Sequence, residues 1–236
     1  MKQSVSLYGS ARYWGRRYEA AAADTESPAE ALSREEWYLG FAAFKAPLLE
    51  LCGAEGAAAP PGRCLLLGTG LSLLAEEVAD AGFGARGGVD AVDFAPEAVE
   101  FMRRREERRR EAAGGAGGCT RVAYEEMDVR RLSYADGSFE SVVDKATLDS
   151  LANNDDAEAD VAAMLREAHR VLMPGGAYAL LSYDDRSELL LRQSLGWELV
   201  GGAPREVRKN KAQFWLHVMR KAGGDMELPQ RVSLPQ

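Results

Sequence analysis

The chain has 236 residues, 46% of them hydrophobic and 28% charged, which suffices to bury one substantial core and predicts a single domain. A formal charge of −8 and a pI near 5.0 exclude phosphate-backbone attraction as the main source of affinity, because that needs clustered lysine and arginine; a nucleic-acid substrate is therefore disfavoured. No run approaches the roughly 18 to 20 apolar residues of a membrane span, and Met1 to Ser10 lacks an apolar signal core.

Residues 1–62 read as an N-terminal helical cap and linker belonging to the same domain: an aromatic segment Tyr13 to Tyr18, a polar loop around Asp24 to Pro28, an apolar-rich helix from Ser33 to Leu51, then small residues and Pro60-Pro61. From residue 63 to 222 short apolar runs alternate with helical patterns, as repeated βα units do. Strands are predicted near 63–67, 87–92, 119–124, 139–143 and 177–183, with helices near 71–82, 96–112, 156–171 and 185–194. Such alternation predicts a mostly parallel sheet with right-handed crossovers. Two late runs, Trp197 to Val200 and Gln213 to Met219, have no helix between them and predict an antiparallel hairpin at the sheet edge; residues 223–236 read as a loosely held tail.

Leu65-Leu66-Leu67 enters Gly68-Thr69-Gly70 and a helical pattern follows, the strand, glycine turn and helix order of a nucleotide-binding unit. The dehydrogenase version of that unit fails, since Leu73 occupies the third glycine position. Asp93 stands about 20 residues past the glycines at the end of the second strand, where an acid accepts bonds from ribose hydroxyls; it also suits a cap for the helix opened by Pro96. Asp128, after a third strand, suits an adenine amino group with Val129 packing the ring, or a solvated loop. A fourth strand runs into Asp144-Lys145, and Pro174-Gly175-Gly176 separates a helix from a fifth strand. The run Arg103 to Arg110 alternates with Glu106 and Glu107 and predicts a solvated helix face. His169 and His217 are isolated and receive no catalytic role, while Cys52, Cys64 and Cys119 form no CxxC pair and predict packed, reduced thiols with no metal site.

Taken together, these residues resemble a class I, seven-strand S-adenosylmethionine-dependent methyltransferase, and more narrowly the methyltransferase-like group that includes lysine methyltransferases of elongation factor 1-alpha. The resemblance rests on Tyr13-Trp14-Gly15-Arg16-Arg17-Tyr18, Trp37 with Phe41 and Phe44, Leu67-Gly68-Thr69-Gly70, Val92-Asp93-Phe94, Met127-Asp128-Val129-Arg130 and Asp144-Lys145-Ala146-Thr147-Leu148-Asp149. It implies a Rossmann-like α/β sheet with an antiparallel C-terminal edge, helices on both faces and the helical cap. It implies that Trp14, Tyr18 and Trp37 close over S-adenosyl-L-methionine, unless these aromatics only pack the cap onto the sheet. Gly68, beside Gly70, lines the amino-acid end, Asp93 and Phe94 hold ribose and adenine, and Asp128, Val129 and Lys145 complete the shell. Leu66 replaces the acid that many class I enzymes carry two residues before the first glycine, so the cofactor's amino group must meet backbone carbonyls or another acid. Thr69 and Leu71 stand where the narrower group usually has Cys and Asn, and Asp144 where it usually has Glu.

Methyl transfer from a sulfonium needs alignment and exclusion of water, with no metal. A lysine acceptor adds the cost of the neutral amine, about 4 to 5 kcal/mol at pH 7. Asp144 and Asp149 are the candidate catalytic carboxylates to orient that amine or pass on its proton, and each equally suits a helix cap or a solvated acid. The expected partner is a basic protein such as a translation factor, attracted by the acidic chain, in the cytoplasm. A small-molecule methyltransferase and a catalytically silent binding module share fold and cofactor and stay open as alternatives.

Overall fold

The computed structural model describes residues 10–23, 36–53, 62–115, 119–154 and 156–223. In chain order the elements are α1 (Ala11–Ala23), a 3-10 turn (Phe41–Ala43), α2 (Lys45–Cys52), β1 (Cys64–Leu67), α3 (Leu74–Asp80), β2 (Val89–Asp93), α4 (Pro96–Ala112) and β3 (Val122–Glu126). Then follow β4 (Phe139–Lys145), α5 (Thr147–Leu151), α6 (Ala157–Val171), β5 (Leu172–Ser182), α7 (Ser187–Arg192), β6 (Trp197–Leu199), β7 (Arg205–Lys209) and β8 (Ala212–Lys221). The sheet order is β3-β2-β1-β4-β5-β8-β6, with β7 paired to β8. The first five strands are mutually parallel, and β6, β7 and β5 all meet β8 antiparallel. The Rossmann-like sheet with an antiparallel edge is thus present.

β1 is buried along its whole length because a central parallel strand is covered on both faces. Its side chains alternate: Cys64 and Leu66 join one core with Phe44, Leu48, Val78, Phe83 and Met102, while Leu65 and Leu67 join the other with Phe139, Leu148, Met164 and Tyr178. The cap residues Trp14, Tyr18 and Phe41 belong to the first of these cores. Asp90, the polar exception in β2, is answered by a bidentate Arg63 at 2.7 and 2.9 Å, whose guanidinium also lies 4.7 Å over the Phe139 ring.

Four expectations need correction. The helix expected from Ser33 to Leu51 is not continuous; residues 36–40 are non-helical, and Tyr38 takes φ 62° because its hydroxyl is drawn to Asp149, a tertiary demand that overrides helix propensity. Ser33 to Glu35, like the whole of the expected Asp24–Pro28 loop, most of the 53–62 linker and nearly all of the expected 223–236 tail, lies outside the described residues. The Pro-Gly-Gly turn is absorbed into β5, which starts at Leu172 with a register shift against β4 between Phe139 and Ser141. Trp197 and Lys221 do pair antiparallel, but the hairpin partner of β8 is β7, an element not expected. Finally, the arginine run is only partly a solvated face: Arg105 pairs with Glu76 of α3, and Arg109 with Glu106, whose other oxygen accepts from the Val122 N–H.

Candidate active site

The strand order reverses between β1 and β4, and at such a switch point the carboxyl ends of the strands leave a crevice. Register fixes what meets there: Leu67 lies beside Val92 on one side and Asp144 on the other, which brings Gly68, Asp93 and Lys145 together. The cleft that results lies where open α/β sheets take nucleotide-like ligands. Trp14, Tyr18 and Trp37 from the cap line one wall, Gly68, Gly70, Asp93 and Phe94 the floor, and Asp128, Val129 and Lys145 the remainder, so every residue expected to hold the cofactor faces this one space.

Gly68 and Gly70 have φ of 58° and 48°, which L side chains rarely adopt. Their lack of a Cβ also admits protein neighbours: one at Gly68 would fall 2.2 Å from Thr147 Oγ1, and one at Gly70 would fall 2.6 Å from the Tyr18 hydroxyl. The tight turn therefore lets α5 and the cap close on β1. Asp93 accepts from the Gly70 N–H (2.8 Å) and the Ala95 N–H (2.9 Å), so it both fixes the glycine turn and opens α4. The same residue lines the cleft. Burial pushes its carboxyl up to about 6, against the pull of those backbone N–H donors.

Asp128 is half-exposed and gripped by Arg130 through several bonds down to 2.7 Å, with Arg130 reaching on to Asp160. Lys145 is buried; its ammonium contacts Glu36 and lies 3.3 Å from the Ser72 hydroxyl and 3.4 Å from the Leu39 carbonyl. Burial pushes Lys145 down to about 7, and the Glu36 carboxylate in contact with it acts in the opposite sense. Thr69 Oγ1 is buried on the cleft wall and has no partner among the described residues, so a polar ligand atom there satisfies an otherwise orphaned group. Acceptors on the floor, aromatic planes on the wall and a cation at one end fit an adenosyl amino acid.

The two catalytic candidates do not line the cleft. Asp144 is only 1% exposed and accepts from the Thr147 and Leu148 N–H groups and the Tyr178 hydroxyl, so it caps α5. Burial pushes it up to about 7. Asp149, 2% exposed, accepts from Tyr38, Ser182, the Tyr183 N–H and Arg186, and so joins the cap to the end of β5.

A family model described as a methyltransferase domain matches residues 65–180, the segment that builds the floor and far wall of this cleft. That segment, residues 65–180, belongs to the methyltransferase-domain family. Among relatives, it is 32% identical to EEF1A lysine methyltransferase 4 of Mus musculus over 72% of this chain and 60% of that protein. It is 28% identical to the Bos taurus protein of the same name over 94% and 79%. It is 26% identical to the eEF1A lysine and N-terminal methyltransferase of Homo sapiens over 77% of this chain but 22% of that one. The match therefore spans less than two thirds of the mouse protein and about a fifth of the human one. Among solved structures, the N-methyltransferase NodS of Bradyrhizobium japonicum in complex with S-adenosyl-L-homocysteine superposes with a TM-score of 0.59 at 16% identity, over 87% of this chain and 98% of that one, a likeness of fold.

Several groups at the site carry little or no signal in the sequence. Arg130, Thr147 and Ser150 line the cleft. The first two stood inside recognised motifs, but nothing in one dimension showed Arg130 folding back on Asp128 or Thr147 donating to the Leu67 carbonyl. Glu36 and Ser72 carried no motif signal at all; only the fold brings them to Lys145.

Proposed function

We propose that the chain transfers a methyl group from S-adenosylmethionine to a lysine side chain of a basic protein, elongation factor 1-alpha or a factor like it. The observation that carries the reading is the convergence of Asp93, the Gly68–Gly70 turn, Lys145 and the cap aromatics on one cleft, in a chain whose relatives are named for that modification. The cofactor supplies a methyl group already activated on a sulfonium. Asp93 and Phe94 hold its ribose and adenine, with Asp128 and Val129 at the adenine edge, and Trp14, Tyr18 and Trp37 exclude water. A lysine entering beside these aromatic faces is desolvated, which lowers its pKa and offsets the cost of the neutral amine. Asp144 and Asp149 are positioning residues: the first sets the start of α5 under Gly68, the second sets Tyr38 and Tyr183. A net charge of −8 favours encounter with a basic protein, and the cytoplasm is the compartment of that encounter. No described helix is long and apolar enough to cross a membrane.

Purified protein incubated with methyl-labelled donor and elongation factor 1-alpha, followed by mass spectrometry, tests the reading. Label on lysine is expected. Label appearing on a metabolite in a lysate, with none on protein, would replace it by the small-molecule reading, and cofactor binding without any labelling by the silent-module reading.

A further inference from the structure

An adenosyl amino acid ends in a zwitterion, and its ammonium is costly to bury without an acceptor. Leu66, Leu67, Gly68 and Thr69, where β1 meets the glycine turn, offer that ammonium no carboxylate. Asp93 is committed to the turn and the ribose, Asp144 and Asp149 lie outside the cleft, and Glu97 packs under Gly15 of α1 rather than lining it. Glu36 does not itself line the cleft, but among the described residues its carboxylate contacts two lining side chains at this end. Both oxygens of Glu36 accept from the Ser72 hydroxyl, at 3.1 and 3.0 Å, and the same carboxylate contacts the Lys145 ammonium. Ser72 and Lys145 both line the cleft, and Lys145 is the buried cation there.

We propose that Glu36 and Lys145, bridged by Ser72, form the subsite for the cofactor's amino-acid end, with Glu36 accepting from the α-ammonium and Lys145 donating to the α-carboxylate. The inference rests on the cofactor reading above. It gives the missing strand-end acid a replacement from outside the sheet. Glu36 immediately precedes Trp37, so one segment supplies both a charge for the zwitterion and an aromatic wall.

The test is calorimetric binding of S-adenosylhomocysteine and of its deaminated analogue, which lacks only the α-amino group, to wild type and Glu36→Gln. Glutamine keeps the size and can still accept from Ser72. Wild type is expected to prefer S-adenosylhomocysteine by about tenfold or more, and Glu36→Gln to lose about ten- to a hundredfold for that ligand while binding the deaminated one within about twofold of wild type. The retained affinity for the deaminated ligand also reports that the variant is folded. Three results overturn the proposal. Unchanged or tighter binding of S-adenosylhomocysteine would mean that Glu36 only neutralises Lys145. Equal loss for both ligands would mean that it only holds the cap. No wild-type preference between the ligands would mean that the ammonium is not recognised. Failure of wild type to bind either ligand is a different result, which removes the cofactor reading itself.

Discussion

The ends of β2 and β4 both present an acid, and the two acids do different work. Asp93 spends one oxygen on the glycine turn and one on the start of α4, yet still lines the cleft floor. Asp144 at the matching end of β4 is enclosed by Tyr178 and the first turn of α5, and Asp149, five residues on, by Tyr38, Ser182 and Arg186. A carboxylate at a strand end is therefore not a site by position alone. What its oxygens already hold, and which way their free lone pairs face, decides.

The comparison breaks most easily at Asp149. Asp149→Ala leaves the Arg186 guanidinium, itself 15% exposed, without its buried partner and releases the Tyr38 hydroxyl from the bond that justifies φ 62°. A loss of about 3 to 5 kcal/mol in unfolding free energy is expected in denaturant titration, the range for breaking a buried pair from one side. A loss under about 1 kcal/mol would show that Asp149 is not the anchor its bonds suggest.

Asp93→Ala should show the opposite profile. S-adenosylhomocysteine affinity is expected to fall about ten- to a hundredfold in calorimetry, as for losing bonds to a charged acceptor of about 1.5 to 3 kcal/mol. Unchanged affinity would move Asp93 to the purely structural side of the comparison.

Much of this contrast was legible beforehand. The β1 run, the glycine turn, Asp93 and the α4 start at Pro96 are local signals, and local signals survive folding. The unread parts are those with no local signature. β7, Arg205-Glu206-Val207-Arg208-Lys209, has one buried side chain and no apolar run to detect; its existence depends on pairing with β8. Tyr38 falls within a helical pattern in sequence, whereas its φ of 62° goes with a hydroxyl bond to Asp149, 111 residues away. At Asp144 and Asp149 one dimension shows an acid but not the partners that enclose it.

The pH dependence sharpens the same distinction with a smaller effect. Burial holds the Asp93 carboxyl up at about 6, above its ordinary value of 3.8. A raised acid pKa means that the folded state binds the proton more tightly than the unfolded one. This group therefore contributes stability at low pH that is lost as pH rises through about 6. Cofactor binding needs the ionised acceptor and runs the other way, so affinity is expected to fall as pH drops below 6, approaching tenfold per unit. Asp144 and Lys145 sit near 7 and titrate nearby, so Asp93→Asn is the control. A pH profile that is the same in Asp93→Asn as in wild type would assign the dependence to one of those groups instead.

The smallest effect tests whether enclosure also governs charge pairs far from the cleft. On α4, Arg104 pairs with Glu100 one turn back, and both side chains are more than half exposed; Arg105, its neighbour, reaches Glu76 of α3, whose side chain is 7% exposed. The first pair lies in water, where screening and side-chain entropy leave roughly 0.3 to 0.5 kcal/mol. The second holds a buried carboxylate that has no water to fall back on. Arg104→Ala should therefore shift the denaturation midpoint by an amount close to the error of the measurement, and Arg105→Ala by several times more. Equal shifts would mean that burial of the acid is not what separates the two arginines, and the rule drawn from Asp93 and Asp149 would then fail on this helix.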